Sequence, residues 1–312
     1  MTGILKGKRV VDPVLTTVAR GYKNAEFIGD QLFQVVEMDK EGGVIPTFGK
    51  GVFAVMETRR APGADSNILV REGMGTQDIV LDEHDLAYPV DYREQNESII
   101  DEEKKAARRA TAGIELRREV YAATLAQDKS LYTGRLKTLA QGQGWNADKS
   151  EPLKDIEAGI EAVRAATGNR PNVITMGASV MSLLRYHPAI QAAISNDASN
   201  KRITEQIIQD LLNVSKVLVG GAVSLDPKGK TLGDMWRDNL MIHYVAPQQA
   251  DASSADEYEP SFGYTFRRKG APVIDTYDSV GGKVKNIRYT DIYKVAVVGS
   301  EYGYMISNIK GA

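Results

Sequence analysis

The chain has 312 residues, 42% of them hydrophobic, a net charge of -2 and no cysteine. That length holds two or three domains with a substantial core, and the near-neutral balance argues against tight nucleic-acid binding through a basic folded surface. With no cysteine, a disulfide framework, a thiolate metal site and a cysteine nucleophile are all excluded.

The first residues, Met1 to Val14, lack the apolar run of a signal peptide. No stretch approaches the ~18 apolar residues of a transmembrane helix. The expectation is a soluble protein made in a cytoplasm. Residues 1–42 mix apolar patches (Val14 to Val18, Phe27 to Val36) with glycines and charges. They read as an irregular arm with short helical turns, ordered by what it lies against.

Residues 43–90 read as extended β structure: strands at Val52 to Met56, Ile68 to Val70 and Asp78 to Leu81, with a turn at Ala61 to Asp65. A two-stranded hairpin alone is marginal in water. This loop is therefore expected to lie on its own body or on a neighbour, the bland alternative being a plain surface hairpin.

From Glu94 to Lys129 there is no proline and one glycine, Gly113. Ile100, Ala107, Ile114 and Tyr121 recur at seven-residue spacing, with Ala110 and Leu125 on the same stripe. The opposite face carries Asp101 to Lys105, Arg108, Arg109, Glu115 and Arg117 to Glu119. The pattern predicts an amphipathic helix of roughly 36 residues, about 54 Å long. A globule of this chain length has a radius of gyration of about 20 Å, so such a helix spans the whole body and suggests a plate that tiles against copies of itself. Two helices kinked at Gly113 are the alternative.

A glycine-rich loop follows from Tyr132 to Ser150. Helices are predicted at Asp155 to Ala166, Ala178 to Tyr186, Ala189 to Ile194 and Thr204 to Leu212, and strands at Asn172 to Met176, Lys216 to Val219 and Leu240 to Val245. This order describes an α/β unit with helices on a small sheet. From Phe262 onward the pattern is nearly all strand: Tyr264 to Arg268, Val273 to Tyr277, Val284 to Tyr289, Tyr293 to Val298 and Tyr302 to Ile306, with a Gly281-Gly282 turn. The long helix is the natural cover for these strands, which makes the middle α/β segment an insertion.

Catalytic chemistry is thin. His84, in Asp82-Glu83-His84-Asp85, has no second histidine at ligand spacing. His187, before a proline at a helix end, reads as a cap on carbonyls, and His243 as a core or interface residue. Val219-Gly220-Gly221-Ala222 follows a strand but matches no phosphate-loop pattern, and no G-x-S-x-G elbow is present. Strand aromatics such as Phe262, Tyr264 and Phe266 read as packing rather than base stacking. No catalytic residue, cofactor or metal site is expected.

Arg20-Gly21-Tyr22-Lys23-Asn24-Ala25-Glu26-Phe27-Ile28-Gly29-Asp30-Gln31-Leu32-Phe33 resembles the N-terminal arm of tailed-bacteriophage major capsid proteins, where a "GY-x-N-x-EFI-x-D-x-LFP" pattern precedes an extended loop. Gln34 replaces the proline of that pattern. Ile45 to Lys50, Thr58 to Ala64, Asn172 to Gly177, Leu183 to Pro188 and Val217 to Gly220 are also similar to segments of that family, in the expected order.

The resemblance implies an α+β fold shared with encapsulin shells. Its parts are an N-terminal arm (1–42), an extended β-hairpin loop (43–90), a peripheral domain with the spine helix packed on a β-sheet (91–152 and 262–312) and an inserted α/β axial domain (153–261). It implies a major capsid protein that self-assembles through pentamers and hexamers into an icosahedral shell around phage DNA, in the virion, after assembly in the host cytoplasm. The implied partners are copies of itself, a separate scaffolding protein, a portal, and double-stranded DNA held by weak non-specific contact; no membrane is involved. Because the arm motif begins within about 20 residues of Met1, a separately encoded scaffold, or none, is expected. Expected inter-subunit contacts are Phe27, Phe33, Val52, Phe53, Val55, Arg59, Arg60, Arg108 and Arg109. An encapsulin-type nanocompartment shell is the closest rival. From another class, the rival is a soluble α/β metabolic enzyme.

Overall fold

The computed structural model describes residues 10–20, 26–47, 58–60, 62–63, 65–67, 75–147, 149–194, 203–225, 230–247, 259–279 and 281–311. In chain order the elements are β1 (Val10–Val11), α1 (Pro13–Arg20), α2 (Gly29–Leu32), β2 (Gln34–Met38), β3 (Gly42–Thr47), β4 (Gly75–Val80), β5 (Asp82–Asp91), α3 (Tyr92–Glu97) and α4 (Glu102–Ala126). Then come β6 (Leu136–Thr138), α5 (Pro152–Thr167), β7 (Val173–Gly177), α6 (Ala178–Tyr186), α7 (Pro188–Ile194), α8 (Glu205–Leu212), β8 (Lys216–Gly220), β9 (Val223–Leu225), β10 (Leu232–Asp234) and β11 (Leu240–His243). The chain closes with β12 (Gly263–Arg268), β13 (Val273–Asp278), β14 (Val284–Val297) and β15 (Gly303–Ser307).

The first layer is a six-stranded sheet in the order β1-β13-β14-β12-β2, with β5 also on β14. β14 is its axis. Ile287, Tyr289, Asp291, Tyr293 and Val295 are all buried, the two-residue period of a strand with one covered face. α4 provides that cover. It buries Ala106, Ala110, Ile114, Arg118, Ala122 and Ala126, one residue every four, together with Ala107, Thr111, Glu119 and Ala123. Small side chains on this ridge let the helix axis sit close to the sheet. Gly113 serves the same closeness. A Cβ there would stand 2.6 Å from Leu86 Cδ2 of β5, so the glycine admits β5 rather than bending the helix.

The long helix is shorter than its pattern suggests. α4 has 25 residues and runs through Gly113, so the kinked alternative also fails. The break lies at residues 98–101. The Asp101 carboxylate accepts the Lys104 N–H at 3.1 Å, the mark of an N-cap, and α3 is capped separately by Asp91. Ile100 and Tyr121, placed on the expected apolar stripe, are exposed, whereas Arg118 and Glu119, placed on the charged face, are buried. Alanine, not the bulky residues, marks the covered side.

The second layer is a five-stranded sheet in the order β6-β15-β11-β7-β8. Ile156, Ile160, Val180, Met181 and Leu184 of α5 and α6 share one core with Ile174, Met176, Leu240, Ile242 and Ile306 of its strands. β6 and β15 pair within it, so residues 136–138 and 303–307, expected in the peripheral domain, leave the six-stranded sheet for the α/β unit. The expected strands 284–289 and 293–298 are one continuous β14.

β3 and β4 form a separate antiparallel pair. Its Ile45 and Ile79 are buried with Val36, Tyr264 and Phe266, which anchors the base of the extended loop to the six-stranded sheet. Residues 82–91, expected within that loop, pair with β14 over the whole of β5. The Val52 to Met56 and Ile68 to Val70 strands lie outside the described residues. The arm is ordered by what it touches. β1 pairs with β13, β2 runs parallel to β12, and Leu15, Ile28, Leu32 and Phe33 are buried in the main core.

Candidate assembly surfaces

Three parts of the chain meet at one carboxylate. Glu119 Oε1 accepts the Ile28 N–H at 3.0 Å and the Trp236 Nε1–H at 2.8 Å, and Oε2 accepts the Gly29 N–H at 2.8 Å. The arm, the long helix and the loop before β11 are thereby locked together. Gly29 is required for it, because a Cβ there would lie 2.6 Å from Glu119 Oε2. Burial pushes the Glu119 carboxyl up, against the pull of its three donors. Trp236 itself fills the ends of β7 and β8. A Cβ at Gly177 would collide with the Trp236 carbonyl, and one at Gly220 with the indole ring. The Val219-Gly220-Gly221-Ala222 turn is thus packed by an indole rather than left open for a phosphate.

At the preceding residue, Arg118 Nη2 donates to Asp30 at 2.7 Å and to Glu115, and its Nη1 stands 3.6 Å from Asp291 Oδ2, which also accepts from Arg267 at 2.9 Å. Burial opposes the guanidinium charge, but Asp30, Glu115 and Asp291 outweigh it and raise its pKa. This cluster ties the arm to α4 and β14 by charge at the centre of the sheet's covered face.

The outer face of α4 behaves differently. Lys104 pairs with Asp101 at 3.1 Å and Lys105 with Glu102 at 2.9 Å. Arg108, Arg109 and Arg117 are exposed and form no ion pair among the described residues. An apolar groove of about 440 Å³ lies between α4 and β5, lined by Phe27, Leu86, Tyr88, Ala112, Gly113 and Leu116, with Arg109 among its walls. Just before α4, Ile99 is fully exposed and Ile100 largely so.

Of the expected contact residues, Phe27 and Arg109 come together in that groove. Phe33 does not reach a surface. It is buried within the subunit, its ring 5.9 Å from that of Phe262, because Gly263 leaves room for it beside β12. Arg59 and Arg60 are exposed. Val52, Phe53 and Val55 lie outside the described residues. The sequence reading missed Glu119, Trp236, Ile99 and Leu116. The four-residue spacing of Ala106, Ala110, Ile114, Ala122 and Ala126 is the signal that would have turned position 118 inward.

Each histidine makes a packing or hydrogen-bond contact within the subunit. His243 is wholly buried, and burial lowers it to about 3. Tyr132 Oη donates to the Ala126 carbonyl at 2.6 Å and so accepts from His243 Nε2 at 2.9 Å. His187 Nδ1 accepts the Ala189 N–H at 3.2 Å and Nε2 meets Ser150 Oγ at 2.9 Å. It caps the start of α7, not the carbonyls that end α6. His84 stacks on Tyr293, ring centroids 4.4 Å apart. Among the described residues no three metal-ligating side chains come together, and no helix is long and apolar enough to cross a membrane.

No protein-family model matches the chain. The major capsid protein of Burkholderia phage BcepMu is 44% identical over 310 residues, covering 99% of this chain and all of that one. Among solved structures, a phage-related protein from Bordetella bronchiseptica RB50 superposes with a TM-score of 0.79 at 28% identity, covering 96% of this chain and 98% of that chain. An encapsulin complex from Synechococcus elongatus PCC 7942 shares the fold at a TM-score of 0.54 and 9% identity, over 89% of this chain and 86% of that one.

Proposed function

Because this chain belongs to the family of bacteriophage major capsid proteins, and is therefore a structural shell protein of the virion, we propose that it assembles through pentamers and hexamers into an icosahedral shell around double-stranded DNA. The observation that carries the reading is the full-length 44% identity to a phage major capsid protein. Supporting it is a molecule whose buried polar groups hold its own segments together, at Glu119 and Arg118, while arginines and an apolar groove remain on the outside. Assembly in the host cytoplasm, a separate scaffold and a portal belong to the same proposal, as does the absence of catalysis. A saturable turnover abolished by one pocket substitution would contradict that absence.

In this reading residues 1–42 are the N-terminal arm, the chain between β3 and β4 is the extended loop, α4 with the six-stranded sheet is the peripheral domain, and the unit built on the five-stranded sheet gathers around five-fold and six-fold axes. The loop reaches a neighbouring subunit, with Val52, Phe53, Val55, Arg59 and Arg60 on that contact. Deleting residues 50–74 leaves the β3–β4 pairing intact. The expected product is a folded subunit with native far-UV circular dichroism that scatters light as monomers or small oligomers. The unmodified chain gives particles tens of nanometres across. Normal shells from the deletion variant would remove the loop from the contact; failure of the unmodified chain to form particles would remove the shell.

A further inference from the structure

The outside of the long helix presents a knob and a hole that do not meet within one subunit. The knob is Ile99-Ile100, held between the end of α3 and the Asp101 cap of α4. Its Ile100 N–H is fixed by Ser98 Oγ at 3.1 Å, and that hydroxyl donates to Glu102 at 2.9 Å. Two branched side chains are thus presented to solvent on a pinned backbone, where a soluble monomer gains nothing from them. The hole is the groove between α4 and β5, floored by Ala112 and Gly113 and flanked by Phe27 and Leu116. Leu116 lies about 21 Å along α4 from Glu102, its first residue, at 1.5 Å per residue, and the knob precedes Glu102, so the knob of one copy does not reach the Leu116 end of its own groove.

Charge decides the occupant. Glu94 and Glu97 precede the knob and form no ion pair among the described residues; Arg109 in the groove wall lacks an acidic partner among them. An acidic, apolar knob and a basic, apolar groove on one chain are complementary head to tail. A head-to-tail contact between identical copies is heterologous and closes into a ring when the rotation allows. We propose that the groove takes Ile99 and Ile100 of a second copy of this chain, with Glu97 of that copy on Arg109, as the contact that sets neighbours around a ring. The proposal rests on the shell reading.

The lack of any native cysteine gives a clean test. In particles of the Ile100→Cys/Leu116→Cys chain, mild oxidation is expected to yield a ladder of disulfide-linked multimers on a non-reducing gel. Each single variant stays monomeric, since one bridge needs both positions within about 7 Å. Ile99→Asp/Ile100→Asp, which alters only exposed side chains, is expected to keep native circular dichroism and to lower particle yield about tenfold or more. Intact particles in which the double-cysteine chain remains monomeric overturn the proposal and leave the shell reading standing. So does cross-linking of Leu116→Cys to a cysteine placed at Arg59, which would seat the extended loop in the groove. If the unmodified chain forms no particles, both readings fall.

Discussion

On the sheet-facing ridge of α4, Arg118 and Glu119 are buried and held by the arm, by β14 and by Trp236. Elsewhere on the same helix, Arg108, Arg109 and Arg117 are exposed and have no acidic partner among the described residues. The difference is one of consequence. An inner charge, once removed, leaves another charge stranded in low dielectric. An outer charge, once removed, leaves water. Inner substitutions should therefore register in subunit stability, and outer ones in assembly.

The sharpest way to break this contrast is Arg118→Met. It takes from the largely buried Glu115 its nearest cation and from the wholly buried Asp291 the more distant of two, Arg267 remaining on Asp291. The expected loss is about 3–5 kcal/mol, read as a lower urea midpoint. A loss below about 1 kcal/mol would mean that the inner cluster is structurally idle.

Acid probes a second buried group. His243 titrates at about 3 in the folded chain and near 6.5 unfolded. The unfolded chain thus binds the extra proton between those values. The stability that His243 contributes is complete above pH 6.5 and is lost as pH falls toward 3, by about 2–3 kcal/mol at pH 4.5. Glu115 and Glu119, both raised by burial, work with the opposite sign, since acid relieves their buried charge. His243→Phe should be less stable at pH 7, through loss of the Tyr132 bond, yet show a flatter decline between pH 6.5 and 4. An unchanged slope would show that His243 is not the acid-sensitive group.

Glu119→Gln tests the joint more gently. The amide keeps one acceptor oxygen, so at least one of the three donors from Ile28, Gly29 and Trp236 loses its partner. About 1–3 kcal/mol is expected from urea unfolding, with Trp236 fluorescence following the release of the indole.

Much of this architecture was legible, for reasons that also explain the rest. The α/β unit reads well because each element carries its own period and punctuation: α5 ends at Gly168, which takes a left-handed φ of 71°, and the Gly281-Gly282 turn has φ of 100° and 68°. The break before α4 was missed because Ser98 and Asp101 act as caps inside a stretch otherwise rich in helix formers. Strand exchange by β6 and β15 is a tertiary event with no local period to announce it. Phe27 and Arg109 were picked from different segments, and only the fold brings them to one groove. Phe33 was misjudged because an aromatic on an arm looks the same in sequence whether it faces a neighbour or its own core.

The smallest effect on stability, and the largest divergence from assembly, is expected of Lys104→Glu/Arg108→Glu. Lys104 is exposed and pairs with Asp101 across one helical turn, an interaction worth about 0–1 kcal/mol. An acid in the first turn of α4 also meets the positive end of the helix dipole, which offsets part of that loss. Arg108 has no acid to forfeit among the described residues. Unfolding should therefore stay within about 0.5 kcal/mol of the native chain. Assembly should not, because the reversal adds two acids to the helix that carries Arg109, the residue proposed to receive Glu97 of a second copy. DNA affinity separates this account from its rival. With a net charge of -2, free subunits should bind duplex weakly and with steep salt dependence, and the double variant should disturb particle formation more than DNA retention. Tight, sequence-selective duplex binding that vanishes in this variant while shells still form would make the outer ridge a nucleic-acid reader and dissolve the contrast between the two faces.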